Sequence, residues 1–301
     1  MTNRSEQPLD YKALMQIWAE YIFEDKMDPR LDPHVAESWR RCRAAGIDPI
    51  NGGLGTRVSD EIFQSILAEN NTLIETALPI MQSVFEIMKQ SHSTLVLTDS
   101  VGYILESIGD EQALCANQRL FFGKGCLWSN LSVGTNAISV ALDYNSVVQL
   151  LGPEHYCKSH HSGICTASPI HNPDGEVIGC LNLSSRETVS HPYSLGLVLA
   201  AVQGIEGKLI LKRTTELMRS FLEHSEDSVF LLSKDRRPIW ANNPAYRLLQ
   251  ISGGELAGLD FCQIIPDLDW ESLLSRQDGR YSSHDVRVIV HGMSRHCSIT
   301  I

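Results

Sequence analysis

Five side chains able to bind soft metals or move protons fall within a dozen positions: His155, Cys157, His160, His161 and Cys165, in the run EHYCKSHHSGIC. Imidazoles and thiolates are ligands that zinc and iron accept. The spacing, however, is not that of a recognised zinc module, and surface or pocket histidines are the plainer reading. Cys126, Cys157 and Cys165 admit thiol redox chemistry, which needs a depressed thiol pKa and a second thiol nearby. The chain shows no Gly-x-Ser-x-Gly elbow, no phosphate-binding glycine loop and no carboxylate pair in a suitable context. The expectation is no catalytic residue, no metal and no cofactor.

These residues sit in a stretch, 120–184, that must position them. Within it, Gly134-Thr135-Asn136-Ala137-Ile138 reads as a loop turning into a short helix, with Thr135 or Asn136 capping donors ahead of apolar Ala137, Ile138, Ala141 and Leu142. Residues 165–170 and 176–184 alternate as strands, joined by Asn172-Pro173-Asp174-Gly175, whose Pro and Gly suit a tight turn. Two earlier strands, 93–98 and 103–108, flank a turn at Asp99-Ser100-Val101-Gly102.

Helices surround this core. Leu14, Ile17, Trp18, Tyr21 and Ile22 recur at helical spacing over 10–26, and a second helix starts near Pro33, with Asp32 as N-cap and Gly46 as its stop. Trp18 and Trp39 read as core or interface residues rather than ligand contacts. A glycine-rich connection, 49–57, leads to a long helix, 60–90, that Pro79 kinks or splits. It packs on its own sheet or on a second copy. From 185 to 222 the chain turns helical again, with His191-Pro192 marking the start and Leu195, Val198, Leu199, Val202, Ile205, Leu209, Ile210, Leu217 and Phe221 forming a stripe. Gly196, Gly204 and Gly207 permit close approach of another helix, so this reads as a dimer-forming signalling helix, the alternative being a sheet cover and linker. Beyond it come strands at 227–232 and 238–241, a helix capped by Asn243 with Pro244 in its first turn, and late strands at 284–290 and 296–301.

The order GTNAI, then Glu154-His155, then a Cys-containing segment leading into SPI and NPDGEVIGCLNLS resembles the GAF sensor domain of sigma-54-dependent transcriptional activators of the acetoin and dihydroxyacetone-kinase regulator branch. Glu37-Ser38-Trp39-Arg40-Arg41-Cys42 with Gly46-Ile47-Asp48-Pro49 resembles the start those regulators share. Asn130 stands where they commonly carry an acid, and Ser139 where they commonly carry Gly. The later stretch resembles a PAS domain, with Asn242 matching the asparagine usual before the first helix and Arg236 standing where a turn glycine is frequent. Together these imply an α+β architecture: N-terminal helices at 1–58, a GAF domain of antiparallel sheet backed by helices at 59–215, a long connecting helix, and a PAS domain at 216–301. The resemblance also implies a polar cavity between the sheet and residues 121–161, for which Trp128, Thr135, Asn136, His155, Cys165 and Ser168 are the candidate ligand contacts. His155, inside the matching motif, points inward to bind a ligand or to brace its loop. Some GAF-fold proteins reduce methionine sulfoxide with pocket cysteines, but that enzyme pattern matches poorly here. Nothing in the PAS-like part reads as a haem or flavin site.

Composition fits such a sensor. The 301 residues, 43% of them hydrophobic, allow two domains with cores, and a formal charge of −11 with no basic cluster argues against gripping DNA directly. Eight cysteines without framework spacing, and no signal peptide, read as reduced thiols in the cytoplasm. No apolar run is read as approaching a membrane span. The regulators it resembles also carry an ATPase domain and a helix-turn-helix, neither of which this sequence shows, so it reads as the sensor part of a longer protein. The expected partners are a second copy of the chain and a small-molecule effector or metabolic enzyme, with DNA and RNA polymerase reached only through those further domains and no membrane.

Overall fold

The helix opening the chain, α1 (Tyr11–Glu24), starts where Asp10 accepts the Ala13 amide at 2.7 Å and ends at Asp25 in the left-handed region. The computed structural model describes residues 10–89, 91–186, 193–271, 282–290 and 292–300. Asp32 caps α2 (Pro33–Ala44) through the His34 amide, and Gly46 follows its end at φ 73°. Both expectations stand. Trp18 and Trp39 are buried core residues.

The chain divides into two units, 1–212 and 213–301. The first is organised by a five-stranded antiparallel sheet. After β1 (Thr56–Arg57), α3 (Asp60–Glu69) and α4 (Asn71–Met88) come β2 (Thr94–Asp99) and β3 (Ile104–Gly109). Then follow α5 (Glu111–Gln118), β4 (Cys126–Leu127), α6 (Asn130–Val133), α7 (Ala137–Tyr144), β5 (Val148–Leu151), β6 (Gly163–His171) and β7 (Val177–Arg186). The sheet order is β3-β2-β7-β6-β5, and β1 pairs separately with β4. Asn172 closes the β6–β7 turn by accepting the Asp174 and Glu176 amides, with Gly175 at φ 83°.

Period-two alternation gives the sheet two buried faces. Leu95, Leu97, Ile170, Leu181 and Leu183 pack against Ala77 and Met81 of α4 and Val198, Val202 and Ile205 of α8 (Ser194–Glu223). Val96, Ala167 and Cys180 face the other way, toward α1, α2 and α7. Each fully buried apolar side chain of this kind contributes roughly 1.5–3 kcal/mol.

Four expectations need correction. The helix expected over 60–90 breaks at Asn70 (φ −101°, ψ 11°), not at Pro79, which lies inside α4. Asn70 turns its amide back onto Ile66 O at 2.9 Å, the local competition that makes Asn a helix breaker, whereas Ala77 and Met81 press the Pro79 turn against the sheet. Residue 185 belongs to β7, and helix begins only at Ser194; the expected marker His191-Pro192 lies outside the described residues. α8 is also, by length and composition, apolar enough to cross a membrane, alone among the described helices. Its small and apolar residues include a face, Val198, Ala201, Val202, Ile205 and Leu209, buried on the sheet. The fourth correction concerns the second unit, where Asn242, not Asn243, is the cap.

That second unit contains β8 (Phe230–Leu232), β9 (Pro238–Ala241), α9 (Asn243–Leu249), α10 (Phe261–Ile264), β10 (Ser282–Val290) and β11 (Met293–Thr300). Asn242 is wholly buried and spends its amide four ways. Oδ1 accepts the Val229 and Ala245 amides, and Nδ2 donates to Leu222 O and Asp227 O. Arg236 takes the φ of 63° that a turn glycine takes without strain. Leu249, Phe261, Val286, Val288 and Val290 form the core.

Candidate functional site

A cavity of about 370 Å³ lies on the α7 face of the large sheet. Its floor follows from strand register. Thr94, Ser184 and Cys165 form one cross-strand row, and Val96, Asn182 and Ala167 the next. Thr94 Oγ1 accepts from Asn117 Nδ2 of α5 at 3.0 Å, and the Cys165 thiol lies 3.3 Å from Ser184 Oγ. Asn182 is only 1% exposed, yet neither Nδ2 nor Oδ1 has a hydrogen-bond partner. A buried amide left in that state is costly, and this one stands in the cavity wall.

The opposite wall comes from the start of α7 and from the loop that carries the histidines. Asn136 caps α7: Oδ1 accepts the Ser139 amide at 3.1 Å, Ser139 Oγ returns the bond, and Nδ2 donates to Gly134 O at 3.0 Å. His155 Nδ1 lies 2.9 Å from Gly152 O, and His160 Nε2 lies 2.7 Å from Gly53 O. Carbonyls only accept, so these two nitrogens carry the protons. Burial pushes His155 down to about 3, helped by His160, and pushes His160 and His161 to about 4, so all three rings are neutral near pH 7.

Segments far upstream clamp this loop. Trp18 Nε1 donates to Tyr156 O at 2.8 Å, Trp39 Nε1 to Glu154 O at 2.9 Å, and the Lys158 amide to Pro49 O at 2.8 Å. A Cβ at Gly53, which sits at φ 89°, would fall 2.4 Å from Ser159 Oγ, so only glycine lets the two loops approach.

Four of the six expected contacts, Trp128, Asn136, His155 and Cys165, line the cavity; Thr135 and Ser168 do not. Ser168 is three residues from Cys165 on one strand, and an odd step in a period-two element turns a side chain to the opposite face. Thr135 points instead to α2, where its hydroxyl lies 2.7 Å from Ser38 Oγ and 3.3 Å from Cys42 Sγ. Among the described residues no three His, Cys, Asp or Glu side chains are placed to hold one metal ion. His161 stacks edge-on against Trp18, and the Cys157 thiol donates to Asp48 O at 3.5 Å. Burial raises the Cys157 thiol to about 12 and the Cys165 thiol to about 11, the reverse of what thiol redox chemistry needs.

Residues 28–207 match the family described as MimR, N-terminal domain, and residues 216–283 match a PAS domain family. The chain belongs to the MimR N-terminal domain family. The MimR-type match covers the cavity, the clamped loop and all five strands of the large sheet. A signal-transduction and transcriptional-control protein of Clostridium beijerinckii is 31% identical over 89% of this chain and 43% of its own length. The acetoin dehydrogenase operon transcriptional activator AcoR of Bacillus subtilis is 31% identical over 71% of this chain and 36% of its own. This chain thus spans less than half the length of these curated relatives, both named as regulators of transcription. A crystal structure titled as the E. coli DhaR(N)–DhaL complex superimposes with a TM-score of 0.63 at 19% identity, covering 89% of this chain and 94% of that one, which shows the fold.

Within this MimR-type domain the two departures from the regulator pattern have local explanations. Asn130 presents Oδ1 to Ser38 Oγ and Cys42 Sγ, each at 2.9 Å, as a carboxylate would. Ser139 completes the capping box of α7. Asn182, Ser184, Asn117 and His160 were absent from the expected contacts. The signal for two of them was present: alternation in Cys180-Leu181-Asn182-Leu183-Ser184 sets Asn182 and Ser184 on one face between buried leucines.

Proposed function

We propose that this chain is the signal-sensing part of a transcriptional activator, and that its MimR-type domain binds a small polar metabolite in the cavity above β7. The observation that carries the reading is the Asn182 amide, buried with both polar atoms unpartnered in the cavity wall. Catalysis forms no part of the role: the regulators it resembles are named for transcription control, and the Cys157 and Cys165 thiols are held protonated. The segments 1–58, 59–215 and 216–301 act in series in the cytoplasm as helical clamp, sensor and PAS module. DNA and RNA polymerase are engaged only through domains other than these, the relatives being more than twice as long as the part this chain matches. A homodimer transmits the signal. Leu217, Met218 and Phe221 of α8 are 61–77% exposed, and pairing with a second copy covers them. Sedimentation of the chain carrying Leu217→Glu and Phe221→Glu tests this, a monomer being the expected result and an unchanged dimer the refuting one.

The small-molecule reading is tested by thermal shift of the chain against diols, hydroxyketones, aldehydes and amines. Binding at a hundred times Kd adds about 2.7 kcal/mol and raises Tm measurably. A shift that Asn182→Leu abolishes supports the reading. No shift in a folded protein favours a second reading, control by a metabolic-enzyme partner, for which the precedent is the crystallised complex of DhaR(N) with DhaL. Co-elution with such an enzyme subunit then decides it.

A further inference from the structure

The hydrogen-bonding vacancies around the cavity have a sign, and that sign selects a ligand class. With Nδ1 of His155 and Nε2 of His160 donating to Gly152 O and Gly53 O, the other nitrogen of each neutral ring is a lone-pair acceptor. His155 Nε2 makes no hydrogen bond to the described residues, and His160 Nδ1 is buried without a partner. Asn182 contributes one further acceptor oxygen and an amide nitrogen with two open N–H donors. The side-chain amide of Asn136 is already engaged, and the hydroxyls of Thr94 and Ser184 serve either way. Ala137 and Ile138, at the start of α7, also line the cavity, and first-turn amides of a helix suit an oxygen lone pair.

Charge is unwelcome in this space. Among the described residues no Asp, Glu or Lys lines it, and the one Arg or Lys of that lining, Arg119, is exposed. A carboxylate would set its lone pairs against those of the imidazoles, and an ammonium would be buried without a counter-charge. A ketone or aldehyde offers acceptors alone and leaves the ring nitrogens unmatched. A hydroxyl both donates to a ring nitrogen and accepts from an amide. The His155 and His160 ring centroids are 5.9 Å apart, close enough for neighbouring hydroxyls of one molecule to reach both. The volume of about 370 Å³ lies near the lower end of the usual ~300–1,000 Å³ for small-molecule sites.

We propose that the cavity selects small neutral polyols, molecules with hydroxyl groups on neighbouring carbons, and that His155, His160 and Asn182 read their hydroxyl hydrogens. The inference rests on the small-molecule reading above and narrows it. The test is calorimetric titration of the whole chain with propylene glycol and glycerol, beside acetone, propionaldehyde, propionate and propylamine as size-matched probes. The polyols bind saturably and about tenfold or more tighter than acetone, the order expected for one or more neutral hydrogen bonds. Asn182→Leu and His155→Asn each weaken polyol binding about tenfold. In His155→Asn the new amide keeps a donor near Gly152 O while the Nε2 acceptor is deleted, and circular dichroism confirms that each variant is folded before it is titrated.

Acetone or propionaldehyde binding as tightly as the polyols overturns the polyol assignment and leaves small-molecule sensing intact. So does preference for propionate or propylamine. Polyol affinity unchanged in both variants also overturns it, because the polyol then binds elsewhere. If no probe binds, the assignment falls, and if the wider thermal-shift panel is silent too, the small-molecule reading falls with it.

Discussion

Replacing Asn182 by Leu should make the ligand-free protein more stable, an unusual outcome for a fully buried position in the middle of a sheet. Asn182 is 1% exposed and pairs across to Val96 and Ala167, and both its side-chain polar atoms lack partners. An unsatisfied buried polar group costs roughly 1–3 kcal/mol, and an apolar side chain of similar size removes that cost and adds contact with Val96. The expected gain is therefore about 1–3 kcal/mol. For a unit of this size each kcal/mol moves Tm by about 2–4 °C, so the rise should fall between about 2 and 12 °C. Differential scanning calorimetry of the ligand-free chain reads it, and urea unfolding with an unchanged slope shows that the native state is responsible. A fall in Tm beyond about 2 °C refutes the reasoning, because it means that the amide is satisfied in solution and is structural. A gain in stability accompanied by loss of ligand response is the trade expected of a residue kept for recognition.

Thr135→Val, which deletes the hydroxyl bonded to Ser38 and Cys42, should cost about 1–2 kcal/mol in urea unfolding and leave ligand affinity unchanged; altered affinity would return Thr135 to the binding site. Acidification should destabilise the first unit between about pH 6.5 and 4. The three buried histidines resist protonation when folded but accept it near their ordinary value when unfolded, so the unfolded state binds more protons and stability falls as pH falls, by about 2 kcal/mol per ring from pH 7 to pH 5. His155→Asn and His160→Asn should each flatten that slope in pH-dependent urea unfolding, and an unchanged slope would show that these rings are solvated. Toward a thiol reagent at pH 8, exposed Cys115 should react first, half-buried Cys165 more slowly and buried Cys157 only on unfolding; fast labelling of Cys157 by mass spectrometry contradicts the burial that raises its pKa.

Local chemistry was legible in the sequence where neighbours along the chain decide the outcome. Asp32 before Pro33, Asn136 before Ala137 and the Asn172–Gly175 turn each satisfy nearby backbone groups, and each forms as read. Ser168 lies off the cavity because β6 has two faces, which a list of its polar residues does not separate. The break at Asn70 depended on a side chain folding back on its own helix, which periodicity alone does not register. The vacancy at Asn182 was out of reach for a different reason. Whether a buried amide finds a partner depends on every element around it, and strand alternation assigns only the face. The hold of Trp18 and Trp39 on the histidine loop was equally hidden, since aromatic spacing on a helix reveals an apolar stripe and not which distant carbonyl the indole nitrogen meets.

That hold also has a consequence for the order in which the chain is made. Trp18 and its acceptor, the Tyr156 carbonyl, are 138 residues apart, and Trp39 and the Glu154 carbonyl 115. At a synthesis rate of about 5–20 residues per second, the Trp18 helix precedes its acceptor by roughly 7–28 s. During that interval α1 and α2 have only each other to cover their indole rings. Two helices made well ahead of their acceptors are thus among the last to be locked, and a nascent chain halted before the histidine loop emerges would display their aromatic face to chaperones.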